Sequence, residues 1–187
     1  MGKIVAFESV SLDGVMQAPG RPDEDTRGGF THGGWATPYA DPAMWKGMGG
    51  PGALLLGRRT YEDFAAFWPK QEDNPFTPVL NESRKYVASR GLEEPLPWQN
   101  STPLLGEATR SVPRLKAEVD DDLMILGSGE LVRSLMAAGL IDEYTLLIHP
   151  LILGSGRRLF PDEDTITKLD LRSSETTSTG VIIATYR

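Results

Sequence analysis

The apolar residues of the chain lie in short runs separated by turn residues, a pattern typical of alternating strands and helices. The runs rich in β-branched and aliphatic residues predict strands at residues 4–10, 53–56, 85–89, 123–126 and 144–148. Helices are predicted between them, at residues 40–48, 60–67, 111–119 and 130–138. Two last runs, at residues 169–171 and 181–186, predict an antiparallel hairpin that closes the fold.

Strands that alternate with helices predict an α/β fold with a mainly parallel sheet and an antiparallel hairpin at one edge. The chain has 187 residues, of which 40% are hydrophobic, and this is enough for one core. We therefore predict a single domain over residues 1–187. The segment Gln17–Pro38 has repeated glycines and prolines and no periodic pattern. Long loops of this kind inside a domain are usually functional or disordered.

Composition excludes several classes of function. A formal net charge of -7 argues against nucleic acid as a partner, because phosphates are held by lysine and arginine. No apolar run approaches the roughly 20 residues of a membrane-spanning helix, so we expect a cytoplasmic protein with no membrane partner. The absence of cysteine excludes disulfides and thiolate chemistry, and two histidines are too few for a structural zinc site. We therefore expect no metal, and an organic cofactor for any chemistry.

Three predicted strands are each followed by residues that suit phosphate groups, and ligands of open α/β sheets bind at the carboxyl ends of strands. Gly57-Arg58-Arg59-Thr60 offers a glycine, two guanidinium groups and a threonine that can cap the next helix. Ser89-Arg90 offers a hydroxyl and a guanidinium group that suit an adenosine 2′-phosphate, and so favours NADPH over NADH. A glycine turn at Gly127 could hold a pyrophosphate. The residues predicted to bind the cofactor are Gly57, Arg58, Arg59, Thr60, Ser89, Arg90, Leu126, Gly127, Ser128, Gly129, Glu130 and Leu131.

Each of these segments also has an ordinary structural explanation. The first could be a helix start with solvated arginines, and the other two could be a loop entry and a turn. The turn does not complete a Gly-x-Gly-x-x-Gly fingerprint, because Val132 stands at the third glycine position. The joint occurrence of all three segments favours a binding site.

Five motifs in order resemble the dihydrofolate reductase fold, most closely the C-terminal reductase domain of the bifunctional deaminase/reductase of riboflavin biosynthesis. They are Ser11-Leu12-Asp13-Gly14, the segment 56–62, Val87-Ala88-Ser89-Arg90, Leu126-Gly127-Ser128-Gly129, and the pattern from Leu140 through Pro150 and Gly154-Ser155-Gly156 to Phe160. The resemblance covers nearly the whole chain. It implies a dihydrofolate reductase-like three-layer α/β/α fold, NADPH as hydride donor and a homodimer. The zinc chemistry of the deaminase half needs cysteines that this sequence lacks.

Four residues are candidates for the substrate, and each has an alternative. In dihydrofolate reductases an acid on the helix before the Gly-Arg segment binds the pterin, and Asp41 resembles it, although Asp41 before Pro42 is also a common helix cap. Asp13 could lie near the nicotinamide or substrate, or only form a turn. Met16 could border the nicotinamide or pack in the core. Trp35 could line a pocket for a flat ring or fill the core.

The predicted function is hydride transfer from NADPH to a C=N or C=O carbon of a small heterocyclic substrate. Its closest resemblance is to the 5-amino-6-(5-phosphoribosylamino)uracil reductase of riboflavin biosynthesis. The predicted catalytic residues are Asp41 and Asp13, which would orient or help protonate the substrate, although water could equally supply the proton. Segment Gln17–Pro38 is expected to hold the substrate against the cofactor. The alternatives are dihydrofolate reductase activity and a non-catalytic module that binds or senses NADPH.

Overall fold

A computed structural model describes residues 2–48, 52–160 and 166–187. These residues contain eight strands and four α-helices, and the strands belong to one mixed sheet. The elements are β1 (Ile4–Ser11), β2 (Ala53–Gly57), α1 (Arg58–Phe67), α2 (Phe76–Glu82), β3 (Arg84–Ser89), β4 (Ser101–Leu105), α3 (Ala108–Glu118), β5 (Leu123–Leu126), α4 (Gly129–Ala137), β6 (Glu143–His149), β7 (Leu171–Thr176) and β8 (Ile182–Tyr186). Short 3-10 helices lie at Arg27–Gly29, Thr37–Tyr39, Pro42–Met48 and Trp68–Lys70. The predicted α/β fold with an antiparallel C-terminal hairpin is confirmed.

The chain divides into two compact units. The first consists of Met1–Val5 and Gly50–Asp142, and the second of Ala6–Gly49 and Glu143–Arg187. Strand β1 contributes residues to both units. One domain over residues 1–187 stays a prediction. Across the described ranges, no helix has the length and apolar character that a bilayer crossing requires.

The first unit is built on four parallel strands in the order β4-β3-β2-β5. Residues 53–56 of β2 are all fully buried, as predicted for a strand that is covered on both faces. The register aligns Gly57 with Ala88 and Leu54 with Met124. Because these strands are parallel and adjacent, the carboxyl ends of β3, β2 and β5 meet at one edge of the sheet.

Two elements of the first unit, β4 and α2, were not predicted. Strand β4 contains Pro103, which lacks the N–H that a central strand needs and is tolerated at a sheet edge. Helix α2 has seven residues, with Pro78 near its start, and so shows too few turns for a helical pattern. In both cases proline obscured the local signal.

The second unit contains the antiparallel strands β6, β8 and β7. All six residues of β7 are exposed. The long segment Gln17–Pro38 is neither a strand nor an α-helix, as predicted, but it contributes to a buried cluster. The cluster is made of Val15, Ala18, Phe30, Trp35 and Ala36, with Leu151 and Leu153 packed against it.

A buried ammonium group closes helix α2 in the first unit. The Lys85 side chain is fully buried, and its Nζ donates to the carbonyl oxygens of Asn81 at 3.0 Å, Ser83 at 2.6 Å and Gln99 at 3.1 Å. The ring centroid of Trp98 lies 4.4 Å from the same nitrogen. Two of these carbonyls stand at the end of α2, where a helix leaves carbonyls without partners. Burial lowers the pKa of Lys85 to about 8.

Replacing this ammonium group should destabilise the first unit. We expect Lys85→Met to lower the free energy of unfolding by about 2–4 kcal/mol, since three buried carbonyls lose their shared donor. Urea denaturation of both proteins measures the change. The matched control is Lys168→Met, at an exposed lysine. An equal, small effect of both substitutions would contradict the capping role.

The difference in the free energy of unfolding between the wild type and Lys85→Met should also depend on pH. The pKa of Lys85 falls from 10.5 to about 8 on folding, so between these values the unfolded chain binds more protons than the native one. The stability of the wild type relative to Lys85→Met should therefore rise with pH across that window.

Candidate functional site

The three predicted cofactor segments come together in the first unit. They follow β3, β2 and β5, which are neighbours in the sheet. The backbone N–H of Gly57 donates to the hydroxyl of Ser128 at 3.0 Å, which joins the ends of β2 and β5 directly. Ala88, just before Ser89, lies opposite Gly57 in the register. The sequence segments are therefore parts of one edge.

The turn after β5 requires a glycine. Gly127 and Ser128 both have left-handed backbones, with φ of +59° and +61°. A Cβ atom on Gly127 would lie 3.3 Å from the Cγ2 atom of Thr60. The turn thus packs its backbone against the side chain of Thr60 on helix α1. Thr60 was predicted to cap this helix, and that prediction is wrong, because the cap residue is Gly57 and Thr60 is already the third helical residue.

Helices α1 and α4 both begin at this edge. Their cap residues are Gly57 and Ser128, and neither helix start has a hydrogen bond from a capping side chain. The first amide groups of a helix carry partial positive charge and attract anions. Two such starts beside a glycine turn form an arrangement that can bind phosphate oxygens through the backbone. This edge also includes Leu126 at the end of β5, and Gly129 and Leu131 at the start of α4.

Three arginines stand at the same strand ends, and each is ion-paired. Arg58 Nε lies 2.7 Å from Glu62, Arg59 lies 3.4 Å from Glu130, and Arg90 lies 2.8 Å from Glu107. All three arginine side chains are more than half exposed, at 55%, 66% and 79%. Exposed pairs of this kind contribute little to stability, about 0–1 kcal/mol, so the guanidinium groups are free to exchange partners.

Two of the paired acids were missed by the sequence analysis. Glu62 could have been found, because it follows Arg58 at the i,i+4 spacing of helical ion pairs. Glu107 gave no such signal, since its approach to Arg90 depends on the pairing of β3 with β4. Ser89 lies at this same end of β3, and its hydroxyl accepts the N–H of Gly91 at 3.2 Å.

Asp13 in the second unit is an acceptor of three hydrogen bonds. Its carboxylate receives the Ser11 hydroxyl at 2.6 Å, the Leu153 N–H at 3.1 Å and the Gly154 N–H at 2.9 Å. These bonds, that from Ser11 above all, lower the pKa of Asp13 to about 2. The group is therefore ionised at neutral pH. It can orient a hydrogen-bond donor, but it has no proton to give.

Asp41, also in the second unit, caps the short helix that follows it. One carboxylate oxygen accepts the N–H of Ala43 at 2.8 Å, in the first turn of the 3-10 helix Pro42–Met48. The other accepts the N–H of Ser178 at 3.0 Å and a short hydrogen bond from the Ser178 hydroxyl. Asp41 thus ties this helix to the turn between β7 and β8. The capping alternative describes its geometry, and its role toward a substrate stays a prediction.

The two remaining substrate candidates are held within the second unit. Trp35 is only 7% exposed, and its indole N–H donates to the carbonyl of Gln17 at 2.7 Å. Its ring stands edge to face with the buried His149, with centroids 5.1 Å apart. Met16 is half-buried and its N–H donates to the carbonyl of Arg157 at 2.9 Å. Substrate contact by either residue stays a prediction.

Comparison with known proteins identifies the class. The family model of the RibD C-terminal domain matches residues 2–183. The uncharacterized protein YyaP of Bacillus subtilis (strain 168) is 29% identical over 138 residues, which are 71% of this chain and 72% of the relative. A solved structure from Shewanella sp. PV-4, named for riboflavin biosynthesis, has a TM-score of 0.71 at 20% identity over 99% of this chain and 98% of that one.

A second solved structure is the diaminohydroxyphosphoribosylaminopyrimidine deaminase/5-amino-6-(5-phosphoribosylamino)uracil reductase of Thermotoga maritima. Its TM-score is 0.65 at 15% identity, over all of this chain but 56% of that one. Identities this low establish a shared fold, which is the dihydrofolate reductase-like α/β fold that the motifs implied. The chain belongs to the RibD C-terminal domain family.

The glycine turn can be tested by substitution. Gly127→Ala forces a side chain into a left-handed backbone and against Thr60, while Gly139→Ala has a similar φ of +65° but no atom within 4 Å of the new Cβ. We expect Gly139→Ala to lower the free energy of unfolding by about 1 kcal/mol, and Gly127→Ala by about 1 kcal/mol more. Thr60→Ser in the Gly127→Ala background should recover the difference. Equal losses at both glycines in urea denaturation would rule out the Thr60 contact.

The hydrogen bonds to Asp13 predict a pH-dependent stability. The pKa of Asp13 is 3.8 without these bonds and about 2 with them, so the stabilisation is present above pH 3.8 and lost as pH falls toward 2. Thermal unfolding of the wild type and Asp13→Asn should differ most at neutral pH and converge near about pH 2. The exposed Asp73→Asn serves as control. A difference that does not change with pH would contradict this assignment.

Proposed function

We propose that the protein is an NADPH-dependent reductase that transfers a hydride to a small heterocyclic substrate. The observation that carries the proposal is the single edge of the first unit where a glycine turn, two helix starts and three arginines meet. Backbone amides and guanidinium groups are the donors that pyrophosphate and 2′-phosphate groups require. Membership of the RibD C-terminal domain family supports a reductase.

The residues at this edge fit the cofactor. The turn at Gly127 presents backbone without a side chain, and a Cβ atom there would lie 3.3 Å from Thr60. We assign the pyrophosphate to this turn with Arg58 and Arg59, and the 2′-phosphate to Ser89 and Arg90. When bound, NADPH supplies the hydride. The protein positions the cofactor and supplies charge for its phosphates. Neither task requires a further catalytic group on the chain.

The proposed substrate class follows from the relatives. The structure from Thermotoga maritima is named as a 5-amino-6-(5-phosphoribosylamino)uracil reductase, and we propose a substrate of similar chemistry, a polar heterocycle, for this chain. Asp13, ionised at neutral pH, is proposed to orient the substrate. The proton that accompanies the hydride is then taken from water.

Dihydrofolate reductase activity has less support. It needs an acid that pairs with the pterin, and Asp41, the candidate, has the geometry of a helix cap that binds Ala43 and Ser178. A module that binds NADPH without turnover is favoured by one observation, since the carboxylates of Asp13 and Asp41 are both engaged in holding the second unit together. A homodimer and a cytoplasmic location are proposals that follow from the family resemblance and the composition.

Cofactor binding is tested by fluorescence titration with NADPH and NADH. We expect saturable binding of both, tighter for NADPH, and a loss of about tenfold or more in NADPH affinity in Arg90→Gln with NADH unchanged. Arg114→Gln, at an exposed arginine of helix α3, is the matched control. Wild-type protein that binds neither nucleotide would refute the proposal, and an Arg90→Gln variant whose NADPH affinity is unchanged would refute the 2′-phosphate assignment.

Turnover separates the enzyme from the non-catalytic module. Stopped-flow oxidation of bound NADPH is followed with dihydrofolate and with the ribosylamino-pyrimidinone substrate of the riboflavin reductases. We expect oxidation with the pyrimidinone and none with dihydrofolate. Tight NADPH binding with no oxidation by any heterocycle of the panel would establish the module instead.

A further inference from the structure

The ion pair between Arg90 and Glu107 lies at the strand end that we assign to the 2′-phosphate, the group that distinguishes NADPH from NADH. Both carboxylate oxygens of Glu107 lie near one guanidinium nitrogen of Arg90, at 2.8 Å and 3.1 Å. Arg90 follows β3 and Glu107 follows β4, and the register of these strands aligns Ser89 with Leu105. The acid is thus held at the carboxyl edge by the backbone of the sheet.

The backbone of Glu107 also begins helix α3. Its carbonyl oxygen accepts the N–H groups of Arg110 at 2.9 Å and Ser111 at 3.0 Å. Its position is therefore fixed by the main chain, whatever its side chain does. The carboxylate itself is 56% exposed and has room to turn between Arg90 and solvent. A change of the side chain alone should leave the fold intact.

A carboxylate at this place acts oppositely on the two cofactors. A 2′-phosphate that approaches Arg90 competes with Glu107 for one guanidinium nitrogen and, on the remaining N–H groups, lies beside a second negative charge. A 2′-hydroxyl carries no charge and can donate a hydrogen bond to the same carboxylate, which is how acidic residues favour NADH in other dinucleotide sites. The Arg90–Glu107 pair thus weakens the binding of the 2′-phosphate of NADPH and supports the binding of the 2′-hydroxyl of NADH.

The other two ion pairs lack this property. Arg58 with Glu62 and Arg59 with Glu130 stand at the strand ends assigned to the pyrophosphate, which NADPH and NADH share. Their acids would change the affinity for both cofactors alike. Among the paired acids described at this edge, Glu107 is the one that can change the ratio of the two affinities.

We infer that Glu107 is a specificity-determining residue, which competes with the 2′-phosphate for Arg90 and so limits the preference for NADPH over NADH. The inference rests on the proposed function, because it assumes that Arg90 receives the 2′-phosphate. Both partners are exposed, so the effect is moderate. We expect about a fivefold change in the ratio of affinities, which corresponds to about 1 kcal/mol.

The test compares the dissociation constants of NADPH and NADH for four proteins: the wild type, Glu107→Gln, Arg90→Gln and the double variant. Glu107→Gln keeps the size of the side chain and removes its charge. We expect tighter binding of NADPH and unchanged or weaker binding of NADH. In the Arg90→Gln background the same substitution should lose most of its effect on the ratio, because the arginine for which it competes is gone.

The control for charge is Glu118→Gln. Glu118 is an exposed acid at the opposite end of the same helix, so its substitution removes one negative charge without approaching Arg90. It should leave the ratio of affinities unchanged. Thermal unfolding of each variant checks that the fold is intact. The fragments 2′,5′-ADP and 5′-ADP, which differ only in the 2′-phosphate, repeat the comparison without the nicotinamide.

The outcomes separate the inference from the proposed function. A ratio that rises in Glu107→Gln, and not in Glu118→Gln, supports the inference. A wild type that prefers NADPH, together with an unchanged or lower ratio in Glu107→Gln, overturns the inference and leaves the proposed function in place. A wild type that does not bind NADPH overturns both.

Discussion

The burial of strand β2 between two parallel neighbours is the constraint on which the first unit depends. Its residues 53–56 have no exposed surface, all four pair with β3, and the first two also pair with β5, so the strand cannot shift without exposing apolar side chains. This fixed register sets where Gly57 emerges from the sheet. The turn at Gly127 and the end of β3 are positioned relative to it. The candidate cofactor site is thus a consequence of core packing.

A second feature of the structure is that its charged groups are paired within the fold. The chain carries a net charge of -7, and the arginines that could bind phosphate are each matched by a nearby acid. In the second unit, Asp13 and Asp41 use their charge to hold backbone amides and two hydroxyls. Each of these charged residues therefore has a role within the fold, separate from the role toward a ligand that is proposed for it.

The sequence allowed most of the strands and the three longer helices to be predicted within a few residues, because their apolar runs are bounded by glycine and polar residues. It missed β4 and α2, whose prolines break the local pattern. The glycines and arginines that the structure brings together at one edge of the first unit were identified in the sequence by their places at the ends of predicted strands. Two partners of Asp13, Leu153 and Gly154, lie about 140 positions away, and they and the partner of Arg90 could not be predicted, since tertiary pairing brings them together.

The hydrogen bond from Gly57 to Ser128 joins residues 71 positions apart. Ser128 adopts a left-handed backbone that few side chains tolerate, and its hydrogen bond with Gly57 helps to hold it. During folding, the candidate cofactor site can form only after the intervening strands have closed a long loop. Affinity for the proposed cofactor would then report on the completed assembly of the first unit, and the bound cofactor would stabilise that unit against unfolding.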